Sequence, residues 1–166
     1  DNVSRLSIDV ARAYQCALRW KIGGDRACGD TARGILNAWS ATLASIDGSA
    51  DRYLAAGLCG YQFANAAEVM RGYPGFDVAR ARRMFLEVFY RPRVERFLHA
   101  NGFGADHNGA HIENYWANWD LCNMAAAVAI GIFCDRADIY ERALDYYKFG
   151  AGNGSVTFDP VFNLHS

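Results

Sequence analysis

The chain has 166 residues, 52% of them hydrophobic and 14% aromatic, which suits one domain with a real core and excludes a disordered chain. Its 17 basic and 18 acidic side chains nearly cancel, so nothing draws the whole molecule to nucleic acid or to an anionic membrane. No apolar run reaches the roughly 20 residues of a membrane span, and any polyanion must be bound locally, in a cleft.

The hydrophobic spacing is helical nearly throughout. Leu6, Val10, Tyr14, Ala17 and Leu18 recur at steps of three and four, predicting a first helix from Ser4 to Lys21 that Gly23-Gly24 stops. A second helix, Asp25 to Ala44, is expected to bury Ile35, Ala38, Trp39 and Leu43 before the Asp47-Gly48-Ser49 turn. A third, Asp51 to Arg71, puts Leu54, Leu58, Tyr61 and Ala64 on one stripe and is rich in Ala and Gly, which permits close helix packing. Asp77 to Tyr90 and Arg93 to His99 follow, with Pro92 expected to break or kink the helix between them. A glycine-rich loop, Ala100 to Glu113, leads to a strongly apolar helix from Asn114 to Phe133 and a last one from Ala137 to Phe149. The tail from Gly150 to Ser166 reads as irregular. Long helices joined by short turns make antiparallel hairpins, so the expectation is a single all-α domain over residues 1–166.

Five cysteines, Cys16, Cys28, Cys59, Cys122 and Cys134, show no CxxC spacing, so no zinc site is expected, and the sequence names no cofactor. Cys16 and Cys28 flank the Gly23-Gly24 turn, where a disulfide would close the first hairpin. The odd count leaves at least one thiol free or paired with another chain. The Asn2-Val3-Ser4 and Asn153-Gly154-Ser155 triplets fit glycosylation sequons. The opening Asp1-Asn2-Val3-Ser4 reads as a start exposed by processing or by the choice of expressed segment, and together these features point to an extracellular protein.

Chemistry is concentrated in His111-Ile112-Glu113-Asn114-Tyr115-Trp116-Ala117-Asn118-Trp119-Asp120. Residues three and four apart share a helix face, so Asn118 stacks on Asn114 and continues from His111, with Tyr115 and Trp119 beside them. Amides, an imidazole and rings on one surface make a carbohydrate floor. The plainer reading has Asn114 as an N-cap and the tryptophans in the core. It explains Asn118 least well, because Asn is unfavourable inside a helix.

The segments Trp39, Leu54-Ala55-Ala56-Gly57 and Tyr61-Gln62-Phe63-Ala64-Asn65-Ala66-Ala67-Glu68 resemble the entry helices of the alginate lyase superfamily. Tyr115-Trp116-Ala117-Asn118-Trp119, with Ala125 to Phe133 and Asp135-Arg136-Ala137-Asp138-Ile139-Tyr140, resembles its central helix pair. The likeness implies part of an incomplete (α/α) toroid. It also implies β-elimination at uronic acid residues of an acidic polysaccharide such as alginate or glucuronan. That chemistry requires a donor to stabilise charge on the substrate carboxylate and a Tyr or His to move protons. Carried over, Asn118 is the first choice as carboxylate stabiliser and Asn114 the second, with His111 in substrate contact or base assistance. Tyr115, Trp119, Tyr61, Gln62 and His107 are expected to contact sugar. Where the best-known members carry Asn-His, this sequence holds Ile112 and Glu113, so either those roles have moved to His111, Asn114 and Asn118 or the activity differs. The resemblance also implies a catalytic Arg and proton carriers on a segment beyond Ser166, hence a C-terminal continuation or second chain completing the toroid.

Two other classes compete. A non-catalytic carbohydrate-binding or structural module would keep the helical scaffold without the chemistry. A helical-barrel glycoside hydrolase needs two opposed carboxylates, and Glu113 and Asp120, seven positions apart, point to nearly the same face. The arginines 80, 82, 83, 91, 93 and 96 suit a solvated helix face better than a polyuronate track.

Overall fold

The computed structural model describes residues 2–98 and 118–149. Every element among them is helical: α1 (Asn2–Gly23), α2 (Arg26–Thr42), α3 (Asp51–Val69), α4 (Val78–Met84), a π-helical segment (Phe85–Glu95), α5 (Arg96–Leu98), α6 (Asn118–Phe133) and α7 (Ala137–Phe149).

Local chemistry sets the ends. Gly24, at φ 73°, takes the left-handed conformation that closes α1. One residue later the Asp25 carboxylate accepts from the Cys28 amide at 3.0 Å and caps α2. Asp77 caps α4 in the same way through Arg80 N at 2.9 Å. The turn before it is tied to α2 by one amide, since Asn37 donates to Gly75 O at 2.8 Å and accepts from Asp77 N at 3.0 Å.

Two layers result, and cross-helix contacts give their direction. Ser7 meets Cys59 and Trp20 meets Tyr73, so α1 and α3 run parallel. Asn123 reaches Tyr53 O while Arg71 reaches Phe133 O, so α3 and α6 run parallel as well. The second layer, α2, α4 to α5 and α7, runs the opposite way: Asp9 pairs with Trp39 across the first hairpin and Asp120 with Tyr146 across the last. The described residues thus form three antiparallel hairpins, α1/α2, α3/α4–α5 and α6/α7. This all-α arrangement matches the expected class and is compatible with a segment of an (α/α) toroid.

The layers meet on aromatic and small side chains. Phe63, Phe85, Phe89, Phe97 and Phe133 are fully buried, with Phe85 near the centre of a ring cluster. Glycine lets α3 and α6 approach: a Cβ on Gly57 would sit 2.5 Å from Cys122 Sγ and 3.0 Å from the Cys122 carbonyl carbon. The far end of α6 is braced by two arginines. Arg71 donates to Phe133 O at 2.8 Å, Arg82 donates to the same oxygen at 3.2 Å, and both bind the Asp135 carboxylate, which stands at φ 54°. Cations at carbonyl-rich helix ends are favourable.

Two expectations need correction. The buried stripe of α2 is Gly29, Ala32 and Leu36, one position out of phase with the sequence reading. Ala38 is exposed, and Ile35, Trp39 and Leu43 are half-buried. Pro92 does not break its helix. The backbone continues through it in a widened π register, which moves the carbonyl that the ring would strike. The apolar stripe read on α3 runs along its surface, with Leu58 and Tyr61 47% and 41% exposed, and reaches the core only at Ala64. Of the arginines, Arg82 braces α6, Arg80 pairs with Asp77 and Arg93 with Asp47, while Arg83, Arg91 and Arg96 are exposed.

Candidate functional site

Among the described residues, parallel packing of α1, α3 and α6 leaves one face of this layer uncovered. On α6 the side chains turned away from the second layer follow steps of three and four: Asn118, Leu121, Ala125, Val128 and Ile132. Asn118, Leu121 and Ile132 are exposed and the two between them half-buried. On α3 the matching stripe is Asp51, Leu54, Leu58, Tyr61 and Asn65. Asn118 and Tyr61 therefore share the open face, at different heights. Gly57 is level with Cys122 and Asn123. Asn118 lies about one turn before that level and Tyr61 about one turn after, so they stand roughly 12 Å apart along the helix axes. Gln62 is half-buried and one step round the helix, on the side toward α1.

Trp119 points elsewhere. It is half-buried, and its ring packs 6.0 Å from Phe97, which is 5.6 Å from Tyr53. Its ring joins the wall between α3, α5 and α6. Asn114, His111, Tyr115 and His107 lie outside the described residues.

Beneath Asn118 is a buried polar cluster that sequence reading did not single out. Asp120 and Asn123 are both completely buried, the only polar or charged side chains so classed among the described residues. The Tyr146 hydroxyl donates to Asp120 Oδ1 at 2.8 Å. Burial first, and then the Asp120 carboxylate, hold that phenol protonated far above its ordinary range. The Asn123 amide donates to Trp119 O at 2.9 Å and to Tyr53 O at 3.4 Å, so it ties the first turn of α6 to the first turn of α3. Cys122 Sγ also donates to Trp119 O, at 3.2 Å. Burial pushes this thiol up to about 12. The signal that would have found the cluster is an acid and an amide inside an otherwise apolar run, where each needs a partner.

Chemically, the arrangement offers an exposed amide donor on a helix start held from behind by buried hydrogen bonds. A ring stands farther along the same surface. At the same end of the layer a cleft of about 510 Å³ opens between the start of α1, the 47–49 turn and the start of α3, lined by Ser7, Arg52, Leu54 and Leu58 among others. No group of His, Cys, Asp and Glu among the described residues is placed to hold a metal ion. No helix among them is long and apolar enough to cross a membrane.

No curated protein and no solved structure matches the chain. The profile of the alginate lyase family matches residues 1–159, nearly the whole sequence and every element above, and the chain belongs to that family.

Proposed function

We propose that this chain supplies part of the cleft in which a secreted lyase cleaves an acidic polysaccharide of the alginate or glucuronan type by β-elimination. The observation that carries the reading is the family match joined to Asn118, an amide exposed on the open face and backed by the Asp120, Asn123 and Tyr146 cluster.

In this reaction a base removes the proton at C5 of a uronate. The electron pair forms the C4=C5 double bond as the C4–O4 bond breaks, and O4 leaves with a proton. Negative charge builds on the C5 carboxylate, and a donor held in place by the fold stabilises it without reorganising. Asn118 is assigned that role, with Asn114 as the second amide and His111 in substrate contact or base assistance. Tyr61 and Gln62 lie along the same layer, where a polymer extending from Asn118 would meet a ring and a second amide.

The test uses alginate and glucuronan as separate substrates, following ultraviolet absorbance of the unsaturated uronate together with product mass. Elimination yields the conjugated chromophore and adds no water. Products that carry an added water and no chromophore overturn the reading in favour of hydrolysis, and binding without any cleavage favours a non-catalytic module.

A further inference from the structure

The first hairpin brings two of the five cysteines together, and the register shows how. Arg19 Nη2 meets Asp25 Oδ2 at 3.0 Å across the Gly23-Gly24 turn, and Trp39 Nε1 meets Asp9 Oδ2 at 3.0 Å farther down the same pair of helices. Cys16 lies three residues before Arg19, and Cys28 three residues after Asp25. They occupy the next rung, on the same helix faces as the ion pair. Both are half-buried, and Cys16 lies near enough to Cys28 to act on its thiol.

The other three cysteines are buried on separate elements, each with its own neighbour. Cys59 on α3 meets Ser7 Oγ at 3.6 Å, Cys122 on α6 donates to Trp119 O, and Cys134 after α6 lies 3.9 Å from Arg82 O. Only Cys16 and Cys28 face one another in this way.

We propose that Cys16 and Cys28 form a disulfide in the working protein, while Cys59, Cys122 and Cys134 remain thiols. The oxidant is a disulfide, either that of a thiol oxidoreductase or a small-molecule one, met in an oxidising compartment. One cysteine thiolate attacks the oxidant and releases its first sulfur as a thiolate. The second cysteine thiolate then displaces the remaining sulfur. One S–S bond forms and one breaks, two electrons pass to the oxidant, and the two protons lost from the cysteines end on its thiols. The bridge closes a short loop around a glycine turn that the Arg19–Asp25 ion pair also spans, and so restricts the unfolded chain. It also fixes the end of α1, where Trp20 packs edge-on against Tyr73 at 4.8 Å.

The test is thiol counting by mass on the full chain. Reduced, folded protein is incubated with oxidised glutathione, denatured and alkylated. Three alkyl groups are expected, against five when a reductant precedes alkylation, and digestion is expected to yield one peptide pair joined through Cys16 and Cys28. Cys16→Ser is expected to show four alkyl groups without reduction and a lower melting temperature than the oxidised parent. Five alkyl groups after oxidation, stable glutathione adducts on Cys16 or Cys28 in place of the joined pair, or a joined pair involving another cysteine would each overturn the proposal. The outcome does not depend on lyase activity, so it stands or falls apart from the reading of Asn118.

Discussion

The hydroxyl of Tyr146 and the carboxylate of Asp120 meet at 2.8 Å with both side chains buried, joining the last helix of the described fold to the first turn of α6. A phenol that deep in the core is kept there by its partner, and the partner depends on it in turn. Tyr146→Phe keeps the ring and removes the donor. It is expected to cost about 1–3 kcal/mol in chemical denaturation, because a buried acceptor then loses a hydrogen bond. If the pair also steadies Asn118, turnover will fall more than KM changes in the folded variant. Unaltered kinetics alongside lost stability would confine the pair to the core.

Asn118 itself is exposed, so its removal should leave the fold within about 0.5 kcal/mol of the parent. Asn118→Ala is expected to lower turnover on the polymer by about 100-fold or more, the cost of losing one donor to developing charge. Steady-state kinetics by ultraviolet absorbance, with a melting curve to certify folding, measures both. A folded variant with the parental rate would take Asn118 out of the mechanism.

Two glycines make opposite predictions from their surroundings. A methyl group on Gly57 meets Cys122 Sγ and backbone atoms of Cys122 and Asn123 at 2.5–3.1 Å, so α3 and α6 would have to separate. Gly57→Ala is expected to destabilise by about 1–3 kcal/mol. Gly34, inside α2, has nothing within 4 Å of the place a Cβ would take and no positive φ. Gly34→Ala is expected to stabilise by about 0.5–1 kcal/mol through helix propensity and a less free unfolded chain. Paired denaturation curves decide both signs.

The helices were legible because their apolar spacing is strong, and the caps Asp25 and Asp77 stand where the sequence starts a helix. The phase of α2 was not. It carries two apolar stripes, and the buried one is selected by Tyr73, whose ring lies 2.4 Å from where a Gly29 Cβ would be. That contact spans more than forty residues of sequence. Pro92 misled for a related reason, since its penalty refers to the α register and the chain takes a π register instead. At the candidate site, the helical step grouped Asn118 with its neighbours and read Tyr61 on an inward face, whereas Tyr61 is 41% exposed, and it could not show that Trp119 turns inward to Phe97. Asp120 was read only as one of two acids near the cluster. Its true partner, Tyr146, arrives from the next helix, and only the α6/α7 hairpin reveals the pairing.

The buried thiols contribute to an alkaline loss of stability, beside the raised phenol of Tyr146. Burial raises Cys122 from an ordinary value of 9.0 to about 12 and Cys134 to about 11. A thiol with a raised folded pKa holds its proton longer in the native state than in the unfolded chain. Between about pH 9 and 12 the native state therefore binds more protons, and stability falls as pH rises. Below pH 9 both states are protonated and the contribution is constant. Cys122→Ala should lower stability at neutral pH, since it leaves a gap opposite Gly57, yet flatten the alkaline decline, because one of the groups that must ionise is gone. Melting temperatures of parent and variant from pH 7 to 11 separate these effects, the first as a vertical offset and the second as a change of slope. Parallel curves would show that Cys122 does not govern the alkaline limit.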